Sequence, residues 1–154
     1  MELLAVQLRM PANTPVMVLR EQQGSGRLLP ILIGAPEAAS IHTALEGIQP
    51  PRPLTHDLAL TLLDTLGARL ERVLITEMRE HTFYAELHLR TSAGESVVGC
   101  RPSDAVALAV RCNADIYADD DLLDAEGVEA PEEDDDDVDE EAILDEFRDF
   151  LDDI

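Results

Sequence analysis

Two short stretches of the sequence place an arginine, a proline, a hydroxyl group and an aspartate ahead of an apolar run. The first is RPLTHDL at residues 52–58, and the second is RPSDAVALAVR at residues 101–111. Arginine offsets the negative charge of a phosphate, a carboxylate can hold a divalent metal, and histidine titrates near neutral pH. Hydrolysis of a phosphodiester bond needs these groups. The two stretches are therefore either two halves of one site or two ordinary helix starts.

Six residues are candidates for this chemistry. They are Glu37, Arg52, His56, Asp57, Arg101 and Asp104. We predict the histidine and the three carboxylates to be catalytic, with His56 as the general base. Asp57 and Asp104 are the predicted ligands of a divalent metal, Mg²⁺ or Mn²⁺. Arg52 and Arg101 each stand just ahead of a predicted helix, near the positive end of its dipole, where an arginine needs a carboxylate or an anion as partner, so we predict that both bind phosphate.

The same stretches also have a purely structural interpretation. Thr55 and Ser103 can cap the helices that follow them, and Asp57 and Asp104 can complement the positive ends of those helices. Spacing alone favours this interpretation. The sequence contains no HExxH, no phosphate-binding glycine loop and no GxSxG, so local motifs do not by themselves define an enzyme.

The elements that must position these residues follow a repeated order. Two strands, a glycine-containing turn, a third strand and a proline-started helix are predicted within residues 2–47, and again within residues 69–112. A helix at 54–68 connects the two units, and a short strand follows at 115–118. We therefore predict an α+β fold in which a duplicated β-β-β-α unit builds one curved mixed or antiparallel sheet covered by helices.

Negative charge is concentrated at the carboxyl end of this 154-residue chain, whose net charge is -22. Residues 1–117 hold 10 arginines and 13 acidic residues, whereas residues 118–154 hold 1 arginine and 20 acidic residues. The nearly neutral body contains no lysine, which argues against tight binding of nucleic acid through a basic surface.

The lack of a recognisable targeting signal and the pattern of cysteines both predict a cytoplasmic protein without membrane contact. The first residues lack the pattern of a signal peptide, and no apolar run approaches the roughly 20 residues that span a bilayer. Cys100 and Cys112 form neither a CxxC nor a zinc pattern. We expect them to be reduced thiols.

The acidic part of the sequence predicts two further elements. Residues 118–138 are rich in acids and poor in core-forming side chains, which predicts a linker without fixed structure. Six apolar residues near the carboxyl end follow helical spacing and predict a short amphipathic helix that docks on its own body, a second subunit or a partner, with a frayed tail as the alternative. They are Ile143, Leu144, Phe147, Phe150, Leu151 and Ile154. We divide the chain into a domain at 1–128 and an extension at 129–154.

Four segments occur in an order that resembles the bifunctional nuclease domain family. They are LPILIGAPEAASIHTAL, RPLTHDL, FYAELHL and RPSDAVALAVR, and the resemblance covers residues 2–128. It implies a compact α+β domain that tends to form homo-oligomers and a nuclease activity on DNA and RNA. The matching positions are Glu37, Arg52, Thr55, His56, Asp57, Arg101, Ser103 and Asp104. Cys100 stands where relatives commonly have an acidic residue, which would weaken a metal site here.

Two functional hypotheses follow. The first is a nuclease that hydrolyses phosphodiester bonds with a divalent metal. The second is a non-catalytic homo-oligomeric scaffold or regulator, whose acidic tail binds a basic protein partner. A tail of this charge can also cover the arginines of the body and block nucleic acid.

Overall fold

The computed structural model describes residues 1–9 and 13–130, which form seven strands and four helices. The strands are β1 (Glu2–Arg9), β2 (Thr14–Arg20), β3 (Leu28–Leu32), β4 (Arg69–Arg79), β5 (Thr82–Thr91), β6 (Gly94–Cys100) and β7 (Asp115–Ala118). The helices are α1 (Ala35–Leu45), α2 (Thr55–Thr65), α3 (Pro102–Cys112) and α4 (Asp120–Glu126). The predicted α+β class is confirmed. None of these four helices is long and apolar enough to cross a membrane.

The predicted order of strands and helices is confirmed, but the strands form two sheets where we expected one. The first sheet has the antiparallel order β1-β2-β3, and the second has the order β6-β5-β4-β7, in which β7 runs parallel to β4. Short connections let each β-β-β unit complete its own ladder. The two units therefore meet mainly through their side chains, with α2 connecting them.

A shared apolar core holds the two sheets and the helices together. Met17 and Leu29 from the first sheet, Val73 from the second, Ile41 from α1 and Val106 from α3 are all 0% exposed. Burial of each such side chain contributes about 1.5–3 kcal/mol relative to leaving it in water. Helix α3 buries residues along most of its length, so its first turn is a fixed platform for the side chains that it carries.

Prolines begin two of the helices, as the sequence predicts. Pro36 and Pro102 stand in the first turns of α1 and α3, where the missing N–H removes no helical hydrogen bond. The residues before these helices, Gly34 and Arg101, have matching extended backbones with φ of -77° and -76°. The two β-β-β-α units thus enter their helices in the same way.

The predicted caps at Thr55 and Ser103 are wrong. Neither α2 nor α3 has a side-chain hydrogen bond from its N-cap residue, and Thr55 and Ser103 lie inside their helices. Helix α2 instead begins after Leu54, whose backbone N–H donates to Asp57 Oδ2 at 2.8 Å. This bond satisfies the backbone at the helix start from within the first turn, so Thr55 is not needed as a cap.

The predicted linker at 118–138 is wrong at its beginning, because α4 lies there. Asp119 caps α4 by accepting the N–H of the residue two positions on, at 3.0 Å. Leu122 and Leu123 are buried at 5% and 3% exposure. The prediction was based on the high acid content of the segment, and it therefore missed a short helix that is stabilised by its cap and by two buried leucines. After α4, Val128 pairs with Leu28 through two backbone hydrogen bonds, and the rest of the predicted linker and the predicted carboxyl-terminal helix fall on residues 131–154, outside the described residues.

Candidate active site

The first turns of α1, α2 and α3 meet along one open cleft of about 580 Å³. Glu37 and Ser40 come from α1, His56 from α2, and Asp104 from α3, with Arg101 immediately before that helix. The cleft thus brings together four of the six predicted site residues. Ser40 was not among the predicted residues, because a serine inside an apolar helix pattern is an ordinary core residue.

His56 is held at both ring nitrogens. Its Nδ1 lies 2.7 Å from Ser40 Oγ and its Nε2 lies 2.9 Å from Asp104 Oδ1. Arg111 Nη2 donates to Ser40 Oγ at 3.0 Å, which leaves the hydroxyl proton free to be donated to Nδ1. These contacts fit the His56 tautomer that carries its proton on Nε2 and donates it to Asp104, with Nδ1 as the acceptor. An acceptor nitrogen backed by a carboxylate at the other nitrogen is the arrangement of a general base.

Arg101 joins the two carboxylates of the cleft and remains open to solvent. It donates from Nε to Asp104 Oδ2 at 2.7 Å, from Nη2 to Asp104 Oδ1 at 2.9 Å, and from Nη1 to Glu37 Oε1 at 3.0 Å. Its side chain is 63% exposed, whereas those of Glu37 and Asp104 are 16% and 26% exposed. The guanidinium is therefore fixed in orientation and accessible to an anion from solution.

Asp104 remains ionised at neutral pH. Burial by itself raises the pKa of this carboxyl, but hydrogen bonds from Arg101 and His56 outweigh burial, so its pKa lies below the usual value. An ionised Asp104 stabilises the imidazolium that forms when His56 takes up a proton.

Arg111, near the carboxyl end of α3, has a buried side chain that bonds to groups on all three helices that form the cleft. It was not among the residues predicted from the sequence. Its side chain is 8% exposed and donates from Nε to Asp57 Oδ1 at 2.8 Å. Its Nη2 also donates to the Ser40 carbonyl at 3.1 Å, and Nη1 donates to the Ala107 carbonyl at 2.8 Å. Arg111 therefore ties α1, α2 and α3 together. The available signal was a single arginine at the end of the apolar run of α3.

The remaining two predicted residues lie outside the shared cleft. Asp57 lines a neighbouring cleft of about 190 Å³ with Arg111. Arg52 is exposed, and the next residue, Pro53, lines the cleft that contains His56. The structure thus does not bring Asp57 and Asp104 to one cavity.

Asp57 makes the stability of the fold dependent on pH. The backbone N–H of Leu54, followed by Arg111, lowers the pKa of Asp57 against the effect of burial. A lowered folded-state pKa gives stability that is complete above the unfolded pKa of about 4 and is lost as the pH falls through the folded value. Asp57→Asn is therefore expected to lower the free energy of unfolding most at pH 7. The difference from the parent should shrink below about pH 4.

Urea unfolding at pH 7 and pH 3 measures this effect, and Asp64→Asn is the matched control. Asp64 is an exposed carboxylate on the same helix, so its replacement should change little at either pH. A loss for Asp57→Asn that is equal at both pH values would contradict the assignment of the ionised carboxylate as the stabilising form.

The positions and contacts of Asp57 and Asp104 do not fit a metal ion that both carboxylates would bind. Within residues 1–9 and 13–130, no group of three or more His, Cys, Asp or Glu residues could hold a metal ion. Both oxygens of Asp104 already accept hydrogen bonds from Arg101 and His56. Cys100 precedes Arg101 as a free thiol, and burial raises its pKa to about 11. It is therefore protonated at neutral pH and is a poor ligand.

The fold and the cluster define an α+β domain with a histidine, a carboxylate bonded to it and an exposed arginine in one cleft. The family model described as the bifunctional nuclease domain matches residues 17–131. The chain belongs to this family, which confirms the resemblance predicted from the sequence.

Curated relatives show the same relationship. An uncharacterized protein of Mycobacterium tuberculosis is 40% identical over 152 residues, which is 97% of this chain and 90% of that protein. Bifunctional nuclease 1 of Oryza sativa subsp. japonica is 31% identical over 114 residues. Bifunctional nuclease 1 of Arabidopsis thaliana is 32% identical over 108 residues. These matches cover 72% and 68% of this chain but 34% and 33% of the two plant proteins.

Proposed function

We propose that this protein is a nuclease that hydrolyses phosphodiester bonds in DNA and RNA. The observation that carries the proposal is the exposed Arg101, fixed beside His56 and Asp104 in an open cleft. Membership of the bifunctional nuclease domain family and the names of the plant relatives support it. The nucleic-acid substrate would enter the cleft with a phosphate against Arg101.

The residues of the cleft have distinct roles in this proposal. Arg101 binds the phosphate and offsets charge that develops on it, and Glu37 holds the guanidinium in place. The attacking water gives a proton to the Ser40 hydroxyl as that hydroxyl gives its own proton to His56 Nδ1. The water oxygen bonds to phosphorus while the P–O bond to the leaving sugar oxygen breaks, and that oxygen takes a proton from the solvent of the open cleft. Asp104 stabilises the resulting imidazolium at Nε2.

The two predicted residues outside the cleft have supporting roles in this proposal. Asp57 fixes Arg111, which in turn orients Ser40. Arg52 lies beside the same cleft and provides a second contact for the nucleic-acid backbone, as predicted from its position before Pro53.

The dependence on Mg²⁺ or Mn²⁺ remains a prediction, and we assign no step of the reaction to a metal. Magnesium is commonly bound by one or two carboxylates together with substrate phosphates, so a metal would have to arrive with the nucleic acid.

Cleavage of labelled single-stranded and double-stranded DNA and RNA by the full chain tests this function. Parallel reactions contain Mg²⁺, Mn²⁺ or EDTA. We expect cleavage of both DNA and RNA in the metal-containing reactions. An equal rate in EDTA would contradict the metal prediction alone, whereas intact substrates under every condition would contradict the proposed nuclease.

A homo-oligomeric scaffold is the second candidate function, and an exposed stripe of leucines on α2 favours it. Leu58, Leu62 and Leu66 are four residues apart and are 51%, 52% and 80% exposed. Leu54, one turn earlier, is 37% exposed. Such a stripe can pair with its own copy about a two-fold axis. In this role the acidic tail would bind a basic protein partner, and we propose a cytoplasmic location for either function.

The Leu62→Asp variant is expected to reduce a dimer or higher oligomer to a monomer, because it places a charge in the middle of the stripe. Sedimentation velocity measures the change. Val97→Asp is the matched control, since Val97 is also 52% exposed but lies on β6. A monomeric parent, or an oligomer that survives in Leu62→Asp, would contradict this interface.

A further inference from the structure

A second cavity of the described residues is an apolar groove of about 690 Å³. It lies between β3, the turn that joins β4 to β5, and the beginning of α3. Its apolar wall includes Leu32, Met78, Phe83 and Val128, and Leu32 is 57% exposed. The groove and the candidate active cleft share one lining residue, Arg101. The groove is therefore a separate surface that adjoins the cleft.

The described chain ends at the edge of this groove. The backbones of Leu28 and Val128 exchange two hydrogen bonds of 2.8 Å. This bridge holds the chain against β3, and Ala130, the last described residue, packs on the neighbouring cluster of Val16, Val18 and Leu28. Residues 131–154 therefore start beside the groove. Twelve extended residues reach about 40 Å, so the stretch 131–142 is long enough to bring residues 143–154 to any part of it.

The end of the sequence matches the groove in polarity. Plotted on a helix, the six apolar residues between 143 and 154 form one stripe. The groove supplies apolar wall together with Arg101 and His81, and Glu126 is its one acidic lining residue. The opposite face of such a helix is acidic, since residues 139–154 contain eight acids and one arginine.

We propose that residues 143–154 bind in this groove of the same chain as an amphipathic helix, with Phe147 and Phe150 against its apolar wall. A short helix is marginal alone in water, and burial of its apolar stripe stabilises it. Binding to the groove of a second copy of the chain is less favourable. The segment is tethered at the edge of its own groove and therefore has a high effective concentration there. If Arg101 binds phosphate as proposed above, the bound segment places carboxylates beside that ligand and competes with nucleic acid.

Tryptophan fluorescence tests the docking independently of nuclease activity. The sequence has no tryptophan, so Phe150→Trp in the full chain introduces a single reporter. We expect the emission of a buried indole, which shifts to that of an exposed indole when Leu32→Asp is added. Val97→Asp, on β6, is the matched control and should leave the emission unchanged.

The other outcomes overturn the proposal. An exposed indole in the parent reporter shows that the segment is not docked. A shift caused by Leu62→Asp and not by Leu32→Asp places the segment on α2. An emission that changes on dilution shows docking to a second copy.

Hydrogen exchange gives a second measurement that does not alter the folded body. Phe147→Asp in the otherwise unchanged full chain is expected to increase amide exchange in peptides that cover residues 28–33. Unchanged exchange in those peptides would also overturn the proposal. This result does not depend on whether the Leu32→Asp variant folds.

Discussion

Replacing His56 with alanine is expected to lower the turnover number on nucleic acid at least about 100-fold, which is the usual contribution of a general base. The loss follows from geometry, because Nδ1 is the acceptor nitrogen and Asp104 supports the opposite nitrogen at 2.9 Å. Initial rates at saturating substrate measure the effect. Because the alanine variant keeps Arg101 and Glu37, the Michaelis constant should change much less than the turnover number.

His42→Ala is the matched control for this variant. His42 lies on α1 but is exposed and does not line the cleft, so its replacement should leave the turnover number within about two-fold of the parent. Equal activity of the His56→Ala protein and the parent would remove His56 from the mechanism. A large loss in the control would show that the assay reports general damage to α1.

Replacing Arg111 with alanine is expected to lower the free energy of unfolding by about 3 kcal/mol, because removal of one partner leaves buried polar groups without their hydrogen bonds. Asp57 loses a donor at 2.8 Å, and the carbonyl and hydroxyl of Ser40 lose donors at 3.1 and 3.0 Å. Urea unfolding at pH 7 measures the change. Arg111→Lys should recover part of the loss, since one ammonium cannot reproduce all the contacts of the guanidinium.

Arg90→Ala is the control for this prediction. Arg90 also makes two hydrogen bonds to a carboxylate, that of Glu71, but its side chain is 55% exposed. An exposed ion pair is worth at most about 1 kcal/mol, so this variant should unfold close to the parent. A smaller loss for Arg111→Ala than for Arg90→Ala would contradict the role of Arg111 as the link between α1, α2 and α3.

Short-range patterns predicted the elements of the fold well. The alternation of apolar residues and the prolines at positions 36 and 102 placed the strands and the helix starts, because those signals act within a few residues. Whether the strands share one sheet depends on packing between the halves, which no local pattern encodes. The acidic composition around Leu122 and Leu123 concealed α4 for a related reason, since their burial depends on distant parts of the chain.

The candidate site was predicted only in part, because its residues meet through the fold. Residue chemistry indicated that two helix starts would converge, and the structure adds a third, that of α1. Asp57 follows His56 directly in the sequence, yet the turn of α2 directs it to Arg111 in the neighbouring cleft. Arg111 itself had no signal in spacing, because its partners Asp57 and Ser40 are 54 and 71 residues away along the chain.

The ion pair and hydrogen bonds around Asp104 build the proposed phosphodiester-cleaving centre, so removal of the Asp104 charge alone should disable it. Cleavage of a labelled single-stranded oligonucleotide is measured side by side for the full chain and for Asp104→Asn, which keeps the shape of the side chain and removes its charge. The parent should cleave, and the variant should be slower by at least about 100-fold. A variant that cleaves at the parent's rate would contradict the account.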